Sequence, residues 1–136
     1  MNTYIIKSSD VKKILSLYGE KALIFNPEYV ISMEQVKFAA KITFISIKKG
    51  QNIAKNPAIE FLVRLSGKKQ ISKALEFGLK KLKTYAGVVL LEDFLDPSFE
   101  TFEFFPNLEK VKYMYSIEKN EDISKEIYEK MALVDL

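Results

Sequence analysis

The chain has 136 residues, the size of one domain with a single hydrophobic core. It contains no cysteine and no histidine, which excludes disulfides, thiol chemistry, imidazole acid–base catalysis and the usual zinc ligands. Net charge is +3, but residues 1–83 carry sixteen bases against six acids, and residues 84–136 carry five bases against twelve acids. Such a split implies two surfaces with different partners, one of them anionic, unless the charges simply keep the surface solvated. No apolar run approaches the length of a membrane span, and the start, MNTYIIKSSD, lacks the apolar core of a signal peptide. A cytoplasmic location without membrane attachment is expected.

Thr3 to Lys7 is β-prone and reads as a first strand. Ser9 or Asp10 then caps a helix with Val11, Ile14, Leu15 and Tyr18 facing inward, ended by Gly19. Ala22 to Phe25 is a second, buried strand closed by Asn26-Pro27. In the longest helix, Ser32 and Gln35 form a capping box, and Ile31 with Val36 makes the hydrophobic staple. Val36, Ala39, Ala40, Ile42, Ile45 and Ile47 leave it one narrow polar stripe, Lys37, Lys41, Phe44 and Lys48. Phe44 within that lysine row either stacks on a base or packs under a loop.

The segment Asn56 to Gly78, NPAIEFLVRLSGKKQISKALEFG, reads as two short helices joined by a basic turn. Asn56 caps the first helix and Pro57 suits its first turn. Ile59, Leu62, Val63 and Ser66 form the buried face, with Glu60 and Arg64 as a surface pair opposite. Gly67 ends this helix in the left-handed conformation; Ser72 caps the next one and Gly78 stops it. Residues 64–83 hold seven bases and one acid, and Arg64 is the only arginine in the chain. Lys68 and Lys69 beside a helix start, with a guanidinium close by, suit a phosphate. The plainer alternative is that Arg64 pairs with Glu60 and the lysines solvate the turn.

Tyr85 to Glu92 is a nearly continuous apolar run, as expected of a central strand. Asp93, Asp96, Pro97 and Ser98 mark a turn, Phe99 to Phe105 a short helix, and Lys110 to Ile117 an outer strand by its alternation. From about Glu121 a last helix places Ile123, Ile127, Met131 and Val134 along one side. The fold expected is a single α/β (α+β) domain over residues 1–136, a four-stranded mixed sheet flanked by about five helices.

Few catalytic chemistries survive this composition. SGKK lacks the glycine spacing and preceding strand of a nucleotide phosphate loop. No catalytic residue, cofactor or metal is assigned. The competing enzymatic reading is a metal-dependent nuclease or phosphotransferase using Glu92, Asp93 and Asp96. Binding suits the residues better, because phosphate contacts need only cations and an arginine, as at a single-stranded RNA end.

RLSGKKQISKAL, the preceding IEFL, the upstream FNPEYVISMEQVKFAA and the ending KMALVDL together resemble the smallest subunit of the KEOPS complex, the family of the PRPK-binding protein. The resemblance covers nearly the whole chain and is most specific over Phe61 to Ala74. Lys69 stands where archaeal relatives often carry arginine, which keeps the charge and gives up the planar fork. The resemblance implies a non-catalytic subunit of the assembly that makes threonylcarbamoyl-adenosine in tRNA. Its implied partners are the complex's small atypical kinase, which it activates, and the single-stranded CCA end of tRNA. Carried onto this sequence, the RNA contacts are Arg64, Lys68, Lys69, Gln70 and Lys73, and the kinase contacts are Ile127, Met131, Leu133 and Val134. A purely structural adaptor that never touches RNA is the remaining alternative.

Overall fold

A computed structural model describes residues 1–79 and 83–135. Lys80 and Lys81 of the basic stretch lie outside the described residues. Four strands form one sheet: β1 (Asn2–Lys7), β2 (Ala22–Phe25), β3 (Tyr85–Leu90) and β4 (Thr101–Phe102), in the order β2-β3-β1-β4. Every pairing is antiparallel, where a mixed sheet was expected. The helices are α1 (Val11–Tyr18), α2 (Met33–Lys48), α3 (Pro57–Ser66), α4 (Ile71–Ala74), α5 (Leu108–Tyr115) and α6 (Ile123–Ala132).

The apolar run of β3 follows from its place between two strands and between two packed layers. Ala86, Val88 and Leu90 face a small core with Ile14 of α1, Ile6 and Ala22. Val89 joins Leu23 and Phe25 on the other face, against α2, α3, α5 and α6. Gly87 pairs with Phe25, whose ring lies directly over it; a Cβ at Gly87 would fall 2.2 Å from Phe25 Cζ.

Two expected elements exchange identity. Lys110 to Ile117 was expected as a strand, but Leu108–Tyr115 is helical, because Asn107 Oδ1 accepts from Lys110 N (3.2 Å) and starts a helix there. Val111 and Tyr115 satisfy both the alternation of a strand and the four-residue spacing of a helix; in the helix both are buried, and Tyr113 between them is left outside. Within Phe99 to Phe105, expected as a helix, Thr101–Phe102 pairs instead with Ile6 and Ile5 of β1.

Helix α2 begins as its capping box dictates, with Ser32 Oγ accepting from Gln35 N (3.1 Å). The Gln35 side chain reaches Ile31 N (2.9 Å), one residue before the usual partner, and sends its amide inward. The inner face differs from expectation. Gln35, Thr43 and Ser46 are buried, whereas Ile45 and Phe38 are exposed, with Phe38 edge-on to Tyr128 of α6 at 5.3 Å. Two of the buried polar residues meet polar groups of α3, Gln35 Nε2 donating to Leu65 O (3.4 Å) and Ser46 Oγ to Glu60 Oε2 (3.0 Å), whereas Thr43 Oγ1 donates to Ala39 O of α2 itself (2.8 Å).

Candidate functional site

Helix α3 lies against α2, α4, α6 and β2. Asn56 Oδ1 accepts from Ala58 N (2.7 Å) and Pro57 occupies the first turn, which fixes its start. Glu60 through Ser66 are all buried, so the expected surface pair is not on the surface. The helical periodicity correctly located one apolar face; the opposite face is covered by the loop after α2 and by the segment after α6.

Under that cover the Glu60 carboxylate is saturated. Its Oε1 accepts from Ile53 N and Ala54 N, both at 2.9 Å, and its Oε2 from Ser46 Oγ (3.0 Å) and Arg64 Nε (2.8 Å). Arg64 Nη2 donates to Gln51 O (3.2 Å) and Nη1 to Asp135 Oδ1 (2.6 Å). Burial opposes the guanidinium charge, but its hydrogen bonds to the Asp135 and Glu60 carboxylates more than offset it and hold the group more firmly protonated than a free arginine. Arg64 is therefore corrected from a surface phosphate ligand to the centre of a buried ion network.

A second buried network ties down the end of α3. The Leu65 carbonyl, in the last turn where helix carbonyls lack partners, accepts from Tyr115 OH (2.7 Å). Gln35 Nε2 donates to that phenol (2.7 Å). Burial pushes the Tyr115 pKa well above its usual range, with the Gln35 hydrogen bond only partly opposing it.

From this anchored end the chain turns through Gly67, in the left-handed region at φ 69°, and Ser66 Oγ accepts from Lys68 N (3.1 Å). Gly67 lies against the α6 backbone at Lys130 and Met131. Lys69, Gln70 and Lys73 follow, all exposed, with Lys68 half-buried beside them. Four of the five expected RNA residues thus share one turn, with Arg64 beneath it. Helix α4 is a single turn; Gln70 rather than Ser72 is its cap residue, without a side-chain cap bond. A 3-10 turn, Leu75–Phe77, then ends at Gly78 as expected. Beside the basic turn is an open groove of about 530 Å³ lined by Gln51, Ile53, Lys69, Val134 and Asp135.

A family model described as kinase binding protein CGI-121 matches residues 5–135. The chain belongs to this family. It is the family of the smallest KEOPS subunit, so the resemblance carried by RLSGKKQISKAL holds. No curated protein sequence matches the chain. The CGI-121 description supports a kinase partner for this chain. The expected contact residues need correction, however. Ile127, Met131 and Val134 are buried in the protein's own core, because the apolar side of α6 closes the layer over α2 and α3. Of that set only Leu133 is exposed.

The acidic turn of this CGI-121 member is occupied differently from a metal centre. Glu92 and Asp93 lie 3.6 and 3.7 Å from Lys21 Nζ, and Asp96 Oδ1 accepts from Ser98 N (2.8 Å). That bond to Ser98 lowers the Asp96 pKa. Among the described residues no group of three acidic side chains converges as a cation site, and no helix is long and apolar enough to cross a membrane. The sequence reading missed Gln51 and Asp135 as partners of Arg64. Each is distant in sequence, and nothing local signals the pairing. It also missed an apolar groove of about 450 Å³ between α1 and α3, lined by Val11, Leu15, Ala58, Ile59, Leu62 and Leu75 among others.

Proposed function

We propose that this chain is a non-catalytic KEOPS subunit that binds and activates the small atypical kinase and recruits tRNA through its single-stranded CCA end. The observation carrying the RNA half is the cluster of exposed Lys69, Gln70 and Lys73 with half-buried Lys68, following a helix end that a buried hydrogen-bond network anchors. Lysines at fixed positions supply phosphate affinity, and the exposed Gln70 amide can read a base edge. The kinase half rests on family membership and on apolar surface left open. Leu15 and Leu75 are exposed at the rim of the α1–α3 groove. At 100° per residue, Ile59 and Leu62 lie on the opposite side of α3 from Glu60 and Arg64. The apolar groove then runs along one side of α3, and the basic turn follows its C-terminal end, which gives the two partners separate surfaces.

The test is tRNA binding at two salt concentrations, with intact tRNA and tRNA lacking its CCA end. Lys68→Glu/Lys69→Glu is expected to weaken binding of intact tRNA by about tenfold or more at low salt and to flatten the salt dependence. Kinase binding by the same variant should be unchanged. Binding indifferent to both the CCA end and the lysines would leave a structural adaptor for the kinase. Leu15→Asp is expected to do the reverse: loss of kinase co-elution with tRNA binding retained, because the side chain is 43% exposed and its replacement leaves the core intact. A Leu15→Asp variant that still co-elutes with the kinase moves the contact elsewhere, with Leu133 the next position to change.

A further inference from the structure

Resting on the reading that the α1–α3 groove faces the kinase, we propose that this groove takes one extended segment of that kinase as a fifth strand, hydrogen-bonded to the free edge of β2.

β2 is the outermost strand on its side of the sheet and pairs with β3 alone. Along an antiparallel strand, successive residues bond to opposite sides. Leu91 N donates to Lys21 O (3.0 Å), so Leu23 and Phe25 bond towards β3, while Ala22, Ile24 and Asn26 turn their backbone groups away from it. Two of these outward N–H groups are satisfied within the chain. Ala22 N donates to Gly19 O, and Asn26 N donates to Phe77 O (2.9 Å). Ile24 lies between them, half-buried, and among the described residues neither its N–H nor its C=O meets a hydrogen-bond partner. Backbone groups drawn away from bulk water are almost always paired, which makes Ile24 the open position of this edge.

The groove, about 450 Å³, lies along this edge. One wall is Val11 and Leu15 of α1, which covers one face of the sheet; the other is Ile59 and Leu62 of α3, from the layer on the opposite face. Ala22 and Ile24 lie between the two walls. Both layers therefore continue past the last strand, and the edge is the floor of a slot. A strand entering it would alternate its side chains between two apolar walls, so it needs apolar residues on both faces, as β3 has. Its backbone would give a C=O to Ile24 N–H and an N–H to Ile24 C=O. β2 has four residues, which sets the matching partner stretch at about 13 Å of extended chain. None of the described lining residues is charged, so the slot offers nothing to RNA phosphates and selects an uncharged stretch of protein. A second copy would bring its own α1 and α3, which would meet these walls before the two β2 edges could pair. A loop or tail is one strand thick and reaches the floor.

The Ile24 amide reports on this directly. Its hydrogen exchange would be followed in the full chain alone and in complex with the full-length kinase. Kinase affinity would be measured for wild type, Ile24→Val, Ile24→Pro and Leu15→Asp. In the complex the Ile24 amide is expected to exchange about tenfold more slowly or less, while Leu23 and Phe25, already bonded to β3, change little. Ile24→Pro removes the outward N–H and leaves the β2–β3 bonds in place, a position where edge strands tolerate proline. It is expected to weaken kinase binding about tenfold or more, because a carbonyl of the added strand is left unpaired. Ile24→Val should bind as wild type does. Should Ile24→Pro fail to fold, exchange in the wild-type complex decides by itself. Kinase binding that Leu15→Asp abolishes, with the Ile24 amide exchanging as fast in the wild-type complex as in the free chain, overturns the added strand and leaves the groove as the kinase site. A kinase that binds Leu15→Asp as tightly as wild type, or binds neither, overturns both readings. Ile24 exchange that slows as the chain alone is concentrated assigns the edge to a second copy and overturns the proposal.

Discussion

Replacing Arg64 by methionine is expected to lower the free energy of unfolding by about 3–5 kcal/mol, because it breaks a buried ion pair from one side. The Glu60 carboxylate would remain under the α2–α3 loop with Ser46 Oγ and the amides of Ile53 and Ala54, but with no cation. Asp135, on the surface, would lose a partner at little cost. Chemical denaturation reads the effect as a shift in midpoint at constant slope. Arg64→Met/Glu60→Gln distinguishes lost charge pairing from lost packing. The amide oxygen of glutamine can still accept from Ile53 N and Ala54 N, and no ion is left unpaired. That double variant is expected to be more stable than Arg64→Met alone. A double variant as unstable as the single one would mean that the arginine acts through its volume and its bonds to Gln51 and Asp135 rather than by neutralising Glu60.

The same buried pair shows where sequence reasoning stops. Local chemistry made the ends of α2 and α3 legible, because Ser32 with Gln35 and Asn56 with Pro57 act within four residues of each other. β3 was legible from its unbroken apolar run, and its central place in the sheet agrees with that signal. Glu60 and Arg64 were correctly paired at four-residue spacing but placed on the wrong side of the solvent boundary. Spacing reports which residues share a helix face and says nothing of what covers that face. The cover comes from Gln51 and Asp135, and Asp135 is 71 residues away from Arg64. The α6 stripe carried the same ambiguity: Ile127, Met131 and Val134 have the pattern of an interface and of a core, and the fold uses them as core. Over Lys110 to Ile117, Val111 and Tyr115 fit two periodicities at once, and Asn107 decides between them by starting a helix. At the candidate site, the basic turn was visible from composition, whereas the burial of Arg64 depends on the loop at Gln51 and on Asp135 near the C-terminal end of the described residues.

Gly67→Ala is expected to destabilise the protein by about 2–4 kcal/mol, for two separable reasons. The residue sits at φ 69°, where a Cβ alone costs about 1 kcal/mol. That Cβ would also fall 2.8 Å from the Lys130 carbonyl oxygen and 3.2 Å from Met131 N. Both neighbours are helix backbone and cannot rotate aside as a flexible side chain would, so α6 itself must move. Ile127 and Met131 would then shift within the core, and the turn that carries Asp135 would shift with them. Gly50 supplies the control. It has the same φ of 69° and nothing within 4 Å of its Cβ position, so Gly50→Ala should show the backbone cost by itself. The difference between the two alanine variants measures how tightly the basic turn is clamped to α6. A large difference means that Lys68, Lys69 and Gln70 are held at fixed positions by the C-terminal helix, and that a partner docking on that helix would also act on the basic turn. Equal costs would mean that α6 yields easily, and the turn would then be positioned by α3 and Tyr115 alone.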